Sequence, residues 1–210
     1  MRNTVFLVGF LLLVSCSSTQ FVDSWKNREI ASFNPQKLLV VGITDNLTAR
    51  KIFEEKLQKS LIQRGINAHV STRVIDESFV DSKRSEQEIE AMTQELMNDG
   101  FDSVIVTAVK GVDDKTQYSS DYYTLGYRWY RFGGYWYTYQ DVYYTPGYYT
   151  NYKVYHVETA IYNLKKGDAR SLVWVGSFDI VNPQDITSTV DDYVARIIKQ
   201  MDRENLINKL

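Results

Sequence analysis

Two unbroken apolar runs, KLLVVGIT at 37–44 and SVIVTAV at 103–109, constrain the fold of this chain more than any other feature in it. A strand with one wet face alternates apolar and polar residues, whereas a strand apolar on both faces has to be covered on both. Between the two runs the period changes to that of a helix. Asp45 or Asn46 can cap a helix from about Leu47 to Arg64, with Ala49, Ile52, Phe53, Leu57 and Leu61 on one stripe and Gly65 just past its end. An extended stretch from about Ile66 to Ile75 and a polar loop through Lys83 come next. Ser85 and Glu88 then have the spacing of a capping box, ahead of a second helix that carries Ile89, Met92 and Leu96 and stops at Gly100. Three strands separated by two amphipathic helices imply right-handed crossovers and a parallel core.

Further on, KVYHVETAIYNL and SLVWVGSFDIV are strand-like runs joined by LKKGDA, which reads as an antiparallel hairpin. On the first of them Tyr155, Val157 and Ile161 share one face, and His156, Glu158 and Tyr162 share the other. An exposed ion pair accounts for His156 and Glu158 more simply than a catalytic dyad does. Asn182 is placed to cap a last helix, with Pro183 at its first position and Ile186, Val190, Val194, Ile197, Ile198 and Met201 on its apolar face. The expected fold is therefore α/β: β-α-β-α-β followed by β-β-α, three helices on a mixed sheet. It forms a single domain over 37–210 with a Tyr-rich β-hairpin insertion at about 118–152.

The chain opens MRNTVFLVGFLLLVSC, with one early cation at Arg2 and an apolar run from Val5 to Val14 that is too short to span a bilayer. This is the shape of a secretory signal over 1–15. Leu13-Val14-Ser15-Cys16 resembles a bacterial lipobox, in which the signal is cut before the cysteine and its thiol receives a diacylglyceryl group. The two acyl chains of that group, joined by any further N-acyl chain, give a stable anchor, whereas a single chain would hold a protein to a membrane only marginally. Cys16 is the only cysteine, so lipidation leaves no thiol for a disulfide, a metal or a nucleophile. Cleavage after residue 15 of 210 leaves 195 residues, enough for one domain with a real core, and loss of Arg2 moves the formal charge from −2 to −3. That mild acidity, without a Lys/Arg stripe, gives no reason to expect nucleic acid. Residues 16–36 read as a membrane tether ending near Pro35. Ser17 and Ser18 fit the sorting pattern of lipoproteins bound for the outer membrane, facing the periplasm.

The most unusual segment lies in the middle. Between Tyr118 and Tyr155 sit 14 of the 16 tyrosines, and from Phe132 to Tyr152 the only charged side chain is Asp141. Gly133-Gly134 is a two-residue turn signal between two aromatic runs, and Thr145-Pro146-Gly147-Tyr148 a second turn. With the two glycines as the loop, Tyr130, Phe132, Tyr135, Tyr137 and Tyr139 fall on one face and Trp129, Arg131, Trp136 and Thr138 on the other. Arg131 sits opposite Trp136, within cation–π reach. Such a tract can cover an open sheet, since tyrosine buries its ring and keeps its hydroxyl wet; it can also be a low-complexity segment. If ordered and exposed, it offers ring faces and hydroxyl rims suited to sugar rings, peptidoglycan strands, a protein partner or a second copy of itself.

Ser24-Trp25-Lys26-Asn27, LLVVGITDNLTARKIFEEKL, Arg64-Gly65, Gly100-Phe101-Asp102-Ser103-Val104 and Leu172-Val173-Trp174 together resemble small Gram-negative envelope lipoproteins of a domain-of-unknown-function family. The body of that family is similar to the N-terminal domain of the periplasmic TolB protein and to the curli-secretion lipoprotein. The resemblance implies a non-enzymatic binding or assembly role in the envelope and carries over no catalytic residues and no cofactor beyond the lipid. The residues themselves point the same way. His69 and His156 are the only histidines, too few for a metal cluster, and VVGITDN lacks the spacing of a phosphate loop. The competing expectation is a carbohydrate-active enzyme that uses the aromatic insertion as its cleft; Asp121 and Asp141 lie there, but their spacing does not support an acid–base pair and they read as solvated turn residues.

Overall fold

The computed structural model describes residues 18–30, 33–76, 79, 84–115, 122–132, 135–145, 152–164 and 172–207; at 115, 122–132 and 135–145 it describes the backbone alone. The expected signal peptide, Cys16, Asp121 and the turns at 133–134, 146–148 and 165–169 lie outside the described residues. The strands are β1 (Thr19–Lys26), β2 (Leu38–Ile43), β3 (Ala68–Val70), β4 (Ser103–Lys115), β5 (Tyr122–Phe132), β6 (Tyr135–Thr145), β7 (Tyr152–Asn163) and β8 (Leu172–Val181). Three helices are described: α1 (Leu47–Ile62), α2 (Glu86–Asn98) and α3 (Ile186–Arg203).

Six strands form one mixed sheet in the order β1-β8-β7-β4-β2-β3. β2 runs parallel to both β3 and β4, as the two apolar runs require, and the remaining pairs are antiparallel. The sheet is covered on both faces. On the first face α1 and α3 bury Phe53, Leu57, Leu61, Val194 and Ile197 against Leu38, Val40, Ile105, Ile161 and Trp174. On the second, α2 brings Leu96 onto Leu39, Val41, Val104, Ala160 and Tyr162. Continuous apolar character in β2 and β4 is thus explained by helices above and below.

Helix boundaries follow local chemistry. The Asn46 side chain caps α1 by accepting from the Ala49 amide at 3.0 Å, and Gly65 takes φ +80° just beyond the helix. At α2 the capping box forms as expected: Ser85 Oγ accepts from the Glu88 amide, and the Glu88 carboxylate accepts from the Ser85 amide at 2.8 Å. Gly100, at φ +86°, turns the chain into β4.

Three expectations require correction. The expected tether over 16–36 contains β1, an edge strand paired antiparallel with β8 from Thr19↔Ile180 to Lys26↔Trp174. The strand expected from Ile66 to Ile75 pairs only over Ala68–Val70; a 3₁₀ turn at Ser71–Arg73 ends it, because Ser71 Oγ and the Thr72 amide donate to the Glu54 carboxylate. Finally, α3 is capped by Asp185, which accepts from the Ser188 amide at 2.9 Å, and not by Asn182. The Asn182 amide is already used, donating to the Lys153 carbonyl at 2.8 Å, and its φ of +48° bends the chain away from β8.

Candidate functional site

Along β7 the alternation of side chains sends Val157, Thr159 and Ile161 to the first face and His156, Glu158, Ala160 and Tyr162 to the second. The second face is therefore divided. Its lower half, around Ala160 and Tyr162, is apolar and lies under α2, while its upper half is polar. There His156 stands opposite Asp179 of β8, and Glu158 opposite Ser177.

Three ionisable side chains on these two strands are buried: His156 is 7% exposed, Glu158 6% and Asp179 2%. This corrects the expectation of an exposed His156–Glu158 pair. His156 Nδ1 lies 2.7 Å from Asp179 Oδ1, and an ionised carboxylate can only accept, so Nδ1 carries the proton. On the other side of the ring Nε2 lies 3.4 Å from Asp113 Oδ2, on β4. Burial works against charging the ring, but the hydrogen bond and charge of Asp179, joined by Asp113, outweigh it and hold the His156 pKa above its ordinary value. Glu158 behaves differently. Burial pushes its carboxyl up to about 8, with Lys110 only partly offsetting the effect, so it stays protonated at neutral pH. The arrangement is an imidazole clamped between carboxylates that favour its charged form, beside a neutral carboxylic acid.

A register shift in β4 between Val109 and Gly111 adjoins this cluster. Past it, β4 and β7 remain paired as far as Lys115↔Tyr152, where the aromatic insertion leaves and returns. Within the insertion β5 and β6 make a two-stranded sheet of their own. Their register runs from Tyr122↔Thr145 to Phe132↔Tyr135 and sets Arg131 opposite Trp136, Tyr130 opposite Tyr137 and Trp129 opposite Thr138, the pairing expected from the Gly-Gly turn. Tyr139 faces Arg128 across the same ladder. The side chains of these candidate surface residues lie outside the described structure. The backbone of β5 comes within 8 Å of α2, and that of β6 within 8 Å of β1 and β8. The hairpin thus approaches the sheet beside α2, on the side where the polar half of the second face lies.

A second buried polar group escaped the sequence reading altogether. Arg50 and Glu54, 1% and 0% exposed, pair through Nε and Oε1 at 3.1 Å between α1 and the end of β2. Arg50 Nη2 donates to Ser71 Oγ at 3.0 Å, Ser71 Oγ donates to Glu54 Oε1 at 2.6 Å, and the Gly42 amide donates to the same oxygen at 3.0 Å. Gly42 lacks the Cβ that would sit 3.2 Å from Arg50 Cγ. The signal available was the i,i+4 spacing of an arginine and a glutamate flanking Phe53. The group is closed to solvent and pins α1 and β3 to β2.

Neither buried group forms an open catalytic cleft. His156 Nε2 faces a carboxylate and not a hydroxyl nucleophile, and Glu158, whose carboxyl stays protonated at neutral pH, is covered. Asp121 lies outside the described residues and Asp141 is described by backbone only, opposite Gly126. An open groove of about 630 Å³ lies on the outer side of α1 and α3, where Lys56 pairs with Asp191 and Arg64 with Asp202. Among the described residues there is no cluster of three or more metal-ligating side chains, and no helix is long and apolar enough to cross a membrane.

No protein-family model matches the chain, and none of the curated proteins is similar to it. Solved structures to which it is similar include the PelC dodecamer of Paraburkholderia phytofirmans, at 10% identity and a TM-score of 0.44, with 86% of this chain and 94% of that one covered. Another is the lipoprotein GNA1162 of Neisseria meningitidis, at 13% identity and a TM-score of 0.43, with 80% of this chain and 99% of that one covered. A PDZ domain protein of Parabacteroides distasonis is similar at 10% identity and a TM-score of 0.39, with 92% of this chain and 38% of that one covered.

Proposed function

We propose that this is a lipid-anchored protein of the cell envelope, held on the outer membrane and facing the periplasm, whose role is binding or assembly and not catalysis. Acyl chains on Cys16 are the anchor. The interaction surface is the aromatic hairpin, with Trp129, Tyr130, Arg131, Tyr135, Trp136, Tyr137 and Tyr139 as contact residues, and its partner is an envelope protein, a second copy of the chain, or a glycan such as peptidoglycan.

One observation carries this reading: β5 and β6, eleven residues each, pair with one another and with no strand of the six-stranded sheet. An element of this length that adds nothing to the main ladder, and that collects most of the chain's tyrosines, is better suited to contact than to holding the core together. Rings with polar rims and few charges give large contact area at low entropic cost.

The test replaces 118–152 with a short Gly/Ser linker and compares the two proteins by crosslinking and pull-down from native envelopes. The shortened protein is expected to unfold cooperatively, because α2 still covers the apolar half of the second face, and to lose the crosslinked partner. A shortened protein that keeps the partner refutes the reading. Metabolic labelling with a palmitate analogue tests the anchor: wild type is expected to be labelled, and Cys16→Ser to be unlabelled and soluble.

A further inference from the structure

We propose that the end of the sheet at which the parallel strands finish rests directly on the phospholipid headgroups of the membrane that carries the anchor. The inference builds on the acylation of Cys16 proposed above and adds the orientation of the body. Ser18, two residues after Cys16, is already fixed to the domain: its carbonyl accepts from the Val181 amide at 2.8 Å, and its Oγ donates to Asp192 Oδ2 of α3 at 3.3 Å. The next amide, Thr19, donates to the same carboxylate oxygen at 2.7 Å. Two residues of chain reach about 7 Å at most. A body pinned that closely to an acylated cysteine has no room to stand off from the bilayer or to present its far end.

The register identifies the end that faces the lipid. Thr19 lies opposite Ile180, Ile180 opposite Tyr155, and Tyr155 opposite Val112. β2, β3 and β4 run toward this level, and α1 and α3 begin near it. Exposed apolar side chains gather here: Ile43, Leu47, Val109, Val112 and Ile186 are each between 37% and 47% exposed, with the exposed Asp114–Lys153 ion pair beside them. Single exposed apolar side chains need no explanation, but a set gathered at the end nearest an acyl chain does. At the other end of α1 Ile62 is 53% exposed, and Trp25 is exposed lower on the edge strand, opposite Val175. The aromatic hairpin also leaves and rejoins the sheet at the membrane-facing level, and tyrosine and tryptophan favour the headgroup layer.

The acylated protein has no free thiol, so a single introduced cysteine can be labelled with an environment-sensitive fluorophore. Leu47→Cys, Ile186→Cys and Ile62→Cys are reconstituted in phosphatidylcholine/phosphatidylglycerol vesicles containing a lipid with a nitroxide on its headgroup. Quenching is expected to be several-fold stronger at positions 47 and 186 than at 62, which is about 22 Å from Leu47 along the helix at 1.5 Å per residue. Equal quenching at all three positions, or strongest quenching at 62, overturns the orientation. Positions 47 and 186 shielded from both lipid and aqueous quenchers would mark a second copy of the chain as the occupant, which also overturns it. Mass spectrometry of the same samples separates the two readings: an unmodified Cys16 removes the anchor and this placement together, whereas an acylated Cys16 with quenching at 62 removes the placement alone.

Discussion

Glu158→Gln should make the protein more stable at neutral pH and much less sensitive to pH. The Glu158 carboxyl loses its proton near pH 8 in the fold, because it is buried, and near its ordinary 4.5 in the unfolded chain. Between those values the folded state binds one proton more than the unfolded state, so stability falls as pH rises, by about 1.4 kcal/mol per pH step and by about 5 kcal/mol at the limit. His156 acts with the same sign. Its folded pKa is raised, so the stability it contributes is fully present below its ordinary 6.5 and is lost as pH climbs through the folded value. Glutamine keeps the shape and hydrogen-bonding groups of a protonated glutamate without the titration. Urea unfolding followed by tryptophan fluorescence from about pH 5 to about pH 8 is the assay. Wild type and variant should be nearly equal at the acid end and diverge by a few kcal/mol in the variant's favour at the alkaline end. Parallel lines for the two proteins across that range would refute the assignment of Glu158 as a buried neutral acid.

Leu57→Ala, Ile105→Ala and Ile197→Ala, each at a side chain with no exposure, should destabilise by about 2 to 5 kcal/mol in the same unfolding assay; losses under ~0.5 kcal/mol at all three would place the core elsewhere. Gly176→Ala should cost about 1 to 3 kcal/mol and shift the tryptophan emission, since a Cβ there would lie 2.4 Å from the fully buried Trp174 ring; an unperturbed spectrum would argue against that packing. Arg50→Met leaves the buried Glu54 carboxylate without its cation and should cost roughly 3 to 5 kcal/mol; the Arg50→Met/Glu54→Leu double variant, which also removes the acceptor for Gly42, Ser71 and Thr72, should lose less than the sum of the two single changes, and additive losses would contradict the pairing.

Much of the fold was legible because its signals are local. The runs at 37–44 and 103–109 read as strands covered on both faces, and they are the neighbouring parallel strands β2 and β4. Asn46, the Ser85–Glu88 box, Gly65 and Gly100 marked helix ends through chemistry that operates within a few residues. The reading failed where a distant partner decides the outcome. Nothing within 66–75 announces that Glu54, on another element, will draw Ser71 and Thr72 out of the strand. Likewise Asn182 has the residue type of a cap, but its φ of +48° lies outside the extended backbone that a cap takes, and Asp185, at φ −144°, caps the helix instead.

The same distinction governs the candidate site. Polar alternation along β7 reads as a wet face only if nothing lies over it, and no pattern within 153–164 states what does. His156 and Glu158 are both buried, at 7% and 6% exposure, so a rule that holds for a single-layer strand gave the wrong exposure for both. β1 illustrates the point over a longer range. TQFVDSWK is ambiguous alone and becomes a strand by pairing with β8, about 150 positions away in sequence. That one non-local pairing changes the functional argument, because it converts an expected twenty-residue leash into a link of two residues between Cys16 and Ser18. Under the proposed acylation of Cys16, a long leash would leave the orientation of the body arbitrary, whereas a short one would let the register of an edge strand set both the face turned to the membrane and the level at which the hairpin emerges.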